Sequence, residues 1–226
     1  MKKIFSDLGK ELGLIILYIV LNIGLQLLLH KDILSNNLFL SNLAYIFIEL
    51  LILTIFIIIF RKIIIPDYYD FKNNYKKYIK ENFKYYISGL LIMLFTNILI
   101  SSFIGLPANE ESVRGLLIDL PVYYFIAAVI AGPILEELLT RQILKDTFKN
   151  KIIYYFTSGI IFASLHLLSA TKWQEVFYII PYGALGFMFA IMYNKTNNIW
   201  TSIFFHFLHN FVATLLILIP LFLGWL

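Results

Sequence analysis

The sequence predicts an all-α fold, a polytopic transmembrane helical bundle of about seven spans. Composition is the first reason: of 226 residues, 60% are hydrophobic and 14% charged, against about 45–50% and about 25% in a soluble domain. Mean hydropathy is +0.82. The second reason is length. Apolar runs of about 20 residues recur, enough to cross a hydrocarbon core of about 30 Å. The third is pattern, because the runs are continuously apolar and do not alternate, which argues against a transmembrane barrel.

The spans fall in order along the chain. The first, near 11–30, follows Met1-Lys2-Lys3 and mimics a signal peptide. The run from Leu14 to Leu29 is long and lacks a small-x-small cleavage site, which favours a retained span. A second run near 40–60 carries one acid, Glu49, a partner for a buried polar group or a residue near an interface. Residues 67–84, rich in Lys, Tyr and Asn, read as a solvated loop or a segment lying on an anionic leaflet. A third span near 85–106 leads to Glu110, Glu111 and Arg114, read as a solvated outer loop. The fourth to seventh spans lie near 120–141, 152–170, 174–193 and 199–222, the last able to break at Pro220. Tyr85-Tyr86, Tyr123-Tyr124, Tyr154-Tyr155, Trp173 and Trp200 sit near span ends, as interfacial aromatic residues do.

Lys and Arg set the expected orientation. With the N-terminus inside, the inner segments hold Lys2, Lys3, Lys10, Arg61, Lys62, Lys72, Lys76, Lys77, Lys80, Lys84, Arg141, Lys145, Lys149, Lys151 and Lys195, 15 of the 18. Only Lys31, Arg114 and Lys172 fall outside. The expectation is a multi-pass cell-membrane protein with a cytoplasmic N-terminus and an outside C-terminus. Its net charge of +4 is then a consequence of topology, and no nucleic-acid partner is implied. There is no cysteine, which removes disulfides, thiol catalysis and thiolate metal sites. No phosphate-binding loop, dinucleotide fingerprint or H-E-x-x-H pattern occurs. Residues 1–118 read as scaffold helices and 119–226 as the chemical half of one integrated membrane domain.

Three patterns fall on separate apolar segments: Glu136-Glu137-x-x-x-Arg141, Phe162-x-x-x-His166 and His206-x-x-x-Asn210. Ionisable groups at membrane depth cost about 2.5 kcal/mol or more each and mark functional sites by default. Adjacent helical residues point about 100° apart, so Glu136 and Glu137 serve different faces. Glu137 and Arg141, four apart with the acid first, suit an ion pair; Glu137 is then structural and Glu136 faces a cavity. Gly132-Pro133 just before it can kink the helix and make room for water. Gly159 and Ala163 form a small-x-x-x-small packing face. Glu136 assisted by His166 suits water activation, and His206 with Asn210 suits oxyanion stabilisation. His209 and His30 read as structural or interfacial. Counted from the inner side, His166 lies deeper than Glu136 or His206, so tilt or a helix break must bring them level.

In this order, these motifs resemble the CAAX-protease and bacteriocin-processing (CPBP/Abi) family of intramembrane endopeptidases, related to the CAAX prenyl endopeptidases. The similarity covers roughly residues 119–224, with E-E-x-x-x-R, F-x-x-x-H and H-x-x-x-N all present without substitution. The resemblance implies Glu136 as water-activating residue, His166 as its partner, His206 and Asn210 as oxyanion stabilisers, and Glu137 and Arg141 as structural support. The family is described both as metal-dependent and as metal-independent. Glu136, His166, His206 and Asn210 permit a divalent ion such as zinc, although no helix carries two His four apart. The implied partners are the lipid bilayer and a peptide or lipid-anchored protein substrate. Richness in Ile, Lys and Asn points to a bacterial source, for which a membrane-associated peptide suits better than a prenylated protein. The rival reading is a non-catalytic regulatory or self-immunity protein that uses the same cavity to bind.

Overall fold

The structure is a computed structural model that describes residues 9, 13–24 and 38–223. His30, Lys31 and the N-terminal lysines lie outside the described residues. Among the described residues the fold is helical, without strands. Helix α1 spans Gly13–Gly24, α2 Leu38–Ile104 and α3 Ala108–Asp119. Helix α4 runs through residues 121–147 in five contiguous segments. Helices α5 (Lys151–His166), α6 (Ile179–Thr196, entered by a 3₁₀ turn over Trp173–Tyr178) and α7 (Ile199–Phe222) follow. Four helices are long and apolar enough to cross a membrane: Phe39–Ile104, Pro121–Lys145, Trp173–Thr196 and Ile199–Pro220.

The second and third expected spans are two legs of one helix. Asn42 accepts a hydrogen bond from the Tyr123 backbone, and Tyr124 lines the same cavity, of about 460 Å³, as Asn97. On a straight helix Asn42 and Asn97 would stand about 82 Å apart, so α2 folds back on itself. Its first leg packs Ile48, Ile52, Phe56 and Phe60 against Leu135, Leu138 and Leu139 of α4. Its second leg packs Tyr86 against Met192 and Phe205. Residues 67–84, expected as a loop, are helical. Their order comes from polar contacts invisible to a hydropathy reading: Asp70 accepts from Asn74 and Tyr78. Asn198 donates to Asp67 and Asp70, and Asp67 accepts from the Ile199 backbone, capping α7. Gly105, at φ +80°, ends the second leg, and its carbonyl accepts from Tyr178.

The bundle therefore has two distinct ends. At one, Lys195 donates to Tyr85 and Lys145 to Asn197, near the Lys76–Lys84 stretch. At the other, α3 bridges α2 and α4. The expected outer loop at Glu110–Arg114 is part of this helix, with Arg114 paired to Glu110 at 3.0 Å.

Helices α5 and α6 meet at the small residues the sequence singles out. A Cβ on Gly159 would stand 2.9 Å from the Gly183 carbonyl and 3.2 Å from the Phe187 nitrogen. Backbone atoms cannot move aside as a flexible side chain would. Gly159→Ala is therefore expected to lower stability by about 1–3 kcal/mol, the usual range for overpacking. Thermal unfolding of the detergent-solubilised protein checks this, and an unchanged midpoint would show that the two helices can separate freely.

Candidate active site

Helix α4 carries the two adjacent glutamates, and its backbone is irregular on both sides of them. Phe125–Ala131 is a π-helical segment in which the Gly132 N–H bonds to the Ala127 carbonyl, five residues back. The next donor in that register would be residue 133, but Pro133 has no N–H. Asn210 of α7 supplies the missing donor, its Nδ2 lying 2.7 Å from the Ala128 oxygen. The expected disturbance at Gly132-Pro133 is thus present as a π-helical turn, a distortion common at functional sites. A second π segment, Leu138–Gln142, follows. Side chains of α5 close its backbone: Ser158 donates to the Thr140 carbonyl and Tyr154 to that of Arg141.

Between the π segments, Glu136 and Glu137 diverge as helical geometry requires. Glu137 is fully buried, with Oε2 3.1 Å from Arg141 Nε. Its other oxygen, Oε1, stands 3.0 Å from His206 Nδ1. One carboxylate thus bridges a guanidinium and an imidazole, a role wider than the expected ion pair. The guanidinium also lies over the rings of Phe162 and Phe189, 4.6 and 5.6 Å from their centroids, and its Nη1 bonds Thr140.

Glu136 faces the cavity. Its Oε2 lies 3.9 Å from Nε2 of both His166 and His206, and it is buried without a hydrogen-bond partner. His166 Nδ1 is 2.9 Å from the Phe162 carbonyl; a carbonyl only accepts, so Nδ1 carries a proton and the ring turns Nε2 towards Glu136. His206 is held alike, its Nδ1 against Glu137 Oε1. The two Nε2 atoms and Glu136 Oε2 therefore meet in one part of the cavity. The depth mismatch along the spans disappears because α5 ends at His166 and α4 is distorted.

Two cavities meet here. The first holds Glu136, His166, His206 and Asn210 with Phe162, Tyr182 and Phe189 on its walls. The second, about 390 Å³, runs from Glu136 and His166 towards Tyr18 and Asn22 of α1. His209, read from the sequence as structural or interfacial, also lines the first cavity, with its ring edge-on to Tyr86. Glu49 is buried on the first leg of α2 within electrostatic reach of Glu136 and Tyr18. Neither the Glu137–His206 bond nor the placement of Glu49 follows from motif spacing; a lone acid in an apolar span was the one available signal for the latter.

Comparisons with known proteins find similarity to one family and to several bacterial proteins. Residues 118–212 match the family described as Rce1-like, type II CAAX prenyl endopeptidase. The Bacillus subtilis protein YdiL, named provisionally as a membrane peptidase, is 28% identical over 158 residues, covering 66% of this chain and 62% of YdiL. The match thus spans less than two thirds of that relative's length. An uncharacterised protein of Mycoplasma capricolum is 28% identical over 106 residues, covering 45% of this chain and 30% of its own. The UPF0177 protein YxdF of Lactococcus lactis is 25% identical over 144 residues, covering 60% and 77%. No solved structure matches significantly. The region similar to the Rce1-like family, residues 118–212, contains Glu136, Glu137, Arg141, His166, His206 and Asn210 together.

Proposed function

We propose that this protein is a membrane-embedded endopeptidase that cleaves a membrane-associated peptide with a water activated by Glu136. The observation that carries the reading is the convergence of Glu136 Oε2, buried without a hydrogen-bond partner, with His166 Nε2 and His206 Nε2, each 3.9 Å from it. Atoms 3.9 Å apart are spanned by a water at hydrogen-bond distances of about 2.8 Å, with an angle of about 90° at the water. Such a water offers two protons to three polar atoms, and a proton on His206 completes the set. Charge supports the same count. Glu49 and Glu137 are buried carboxylates and Glu136 a partly buried one, against the buried guanidinium of Arg141. Excess buried charge is costly unless protons or counter-ions offset it.

Glu136, helped by His166, takes a proton as the water oxygen attacks the scissile carbonyl. His206 carrying both ring protons gives Nδ1–H to Glu137 and Nε2–H to the developing oxyanion. Asn210 has one N–H on the Ala128 carbonyl and a second available for the same oxyanion. The proton held by Glu136 then passes to the departing amine as the C–N bond breaks. Glu137 and Arg141 act through His206, holding its ring in place.

A metal ion fits this geometry less well. Among the described residues no group of three His, Cys, Asp or Glu side chains closes on an ion. The 3.9 Å separations exceed the edge of about 3.3 Å for a tetrahedron with ligands at about 2.0–2.1 Å. No step is therefore routed through a metal. The test is cleavage of a candidate membrane-associated peptide by purified wild type and Glu136→Gln, each with and without chelator. Loss of cleavage in the variant alone supports the reading. Loss on chelation with recovery on adding zinc would replace it by a metal-dependent one.

Asn210 separates an enzyme from a binding protein. Oxyanion donors act on the transition state, so Asn210→Ala is expected to lower turnover by about 10²–10³-fold with little change in peptide affinity. Single-turnover cleavage measured beside peptide binding checks both quantities. Affinity lost with no cleavage by wild type would favour a binder; equal cleavage by both proteins would remove Asn210 from the site.

A further inference from the structure

Both cavities at Glu136 open away from the lysines. The described residues hold 14 of the 18 Lys and Arg. Eleven of these 14 belong to the end where Lys145, Lys149 and Lys151 flank the α4–α5 turn and Lys76, Lys80 and Lys195 face one another. Arg141 is buried, which leaves Arg114 and Lys172 for the opposite end. Neither cavity is lined by any residue of 61–84, 138–161 or 190–205. The first rises from His206 and Glu136 to Asn97, Asn109, Glu110, Val113 and Leu216, beneath α3. The second reaches Asn109, Leu168 and Ser169 at that same end. Lys and Arg flanking membrane spans stay on the cytoplasmic side. The lysine-rich end is then cytoplasmic and the α3 end extracytoplasmic.

We infer that the active-site cavity is entered from the extracytoplasmic face, and that the substrate is a peptide segment exposed at the outer leaflet. The inference rests on the peptidase reading for the word substrate, and on charge and cavity position for the side of entry. It favours such a segment over a prenylated C-terminus presented from the cytoplasm, because neither cavity at Glu136 reaches the lysine end. The walls suit such a segment: apolar side chains of α2 and α7 form the cavity sides, and Asn97, Asn109 and Glu110 offer hydrogen-bonding groups near its mouth.

Side of entry can be read without any activity, because the protein contains no cysteine. Single replacements Ser112→Cys and Lys172→Cys mark the α3 end, and Lys77→Cys marks the lysine end; all three positions are exposed. A membrane-impermeant maleimide should label the first two in intact cells and Lys77→Cys only after permeabilisation. Any other pattern overturns the inference whether or not the protein cleaves peptides. Entry itself is tested in the cleavage assay with Val113→Cys, which lines the mouth. A bulky maleimide there should block turnover, whereas the same reagent on Lys77→Cys should leave it unchanged. Full turnover with Val113→Cys modified would show that the α3 mouth is not the entrance. Absence of cleavage by the unmodified protein would instead count against the peptidase reading, with the labelling result standing.

Discussion

Glu136→Ala is expected to abolish proteolysis while leaving membrane insertion and thermal stability nearly unchanged. The geometry separates these two effects. Glu136 Oε2 is buried yet makes no hydrogen bond, and two imidazole nitrogens stand 3.9 Å from it. Removing it breaks no hydrogen bond made by that oxygen, so the folded state loses little. The reaction loses its proton acceptor, an effect of about 10²–10⁴-fold for general-base assistance alone. Here it also loses the group that positions the water. Cleavage by the variant, thermal unfolding in detergent and the membrane-integrated yield are the three measurements. Wild-type cleavage in the variant would remove Glu136 from the chemistry; collapse of folding would assign it a structural role.

The different surroundings of the two glutamates were legible because they depend on local geometry. The 100° step separates neighbouring side chains, and the four-residue spacing joins Glu137 to Arg141. The long apolar runs were legible for the same reason, since a membrane span must satisfy its backbone within itself. What escaped was non-local or compensatory. Glu137 meets His206 across 69 residues of sequence, and no spacing rule couples them. The π segments of α4 depend on donors from other helices, Asn210 and Ser158 among them. Residues 67–84 form helix through Asp70, Asn74, Tyr78 and Asn198 contacts, so their exposed polar composition resembles a loop. Asn210 shows the limit most clearly. Its motif position points to the oxyanion, whereas one of its two N–H groups completes the backbone broken by Pro133.

Arg141→Ala should destabilise the protein by about 3–5 kcal/mol, the cost of breaking a buried ion pair and stranding one charge. Arg141 is fully buried, and its guanidinium meets the Glu137 carboxylate at 3.1 Å between the rings of Phe162 and Phe189. Truncation therefore removes a counter-charge, a hydrogen bond to Thr140 and packing between two aromatic rings. The first loss is electrostatic and can be separated from the others. Changing Glu137 to Gln removes the stranded charge, so Arg141→Ala combined with Glu137→Gln should be milder than Arg141→Ala alone. The double variant still lacks the packing and still weakens the hold on His206 Nδ1, so its stability recovers in part while its catalysis does not. Denaturant unfolding of wild type, both single variants and the double closes the cycle, with peptide cleavage measured on the same four proteins. Additive stability losses would rule out the pair. Full activity in the double variant would show that Glu137 has no part in orienting His206.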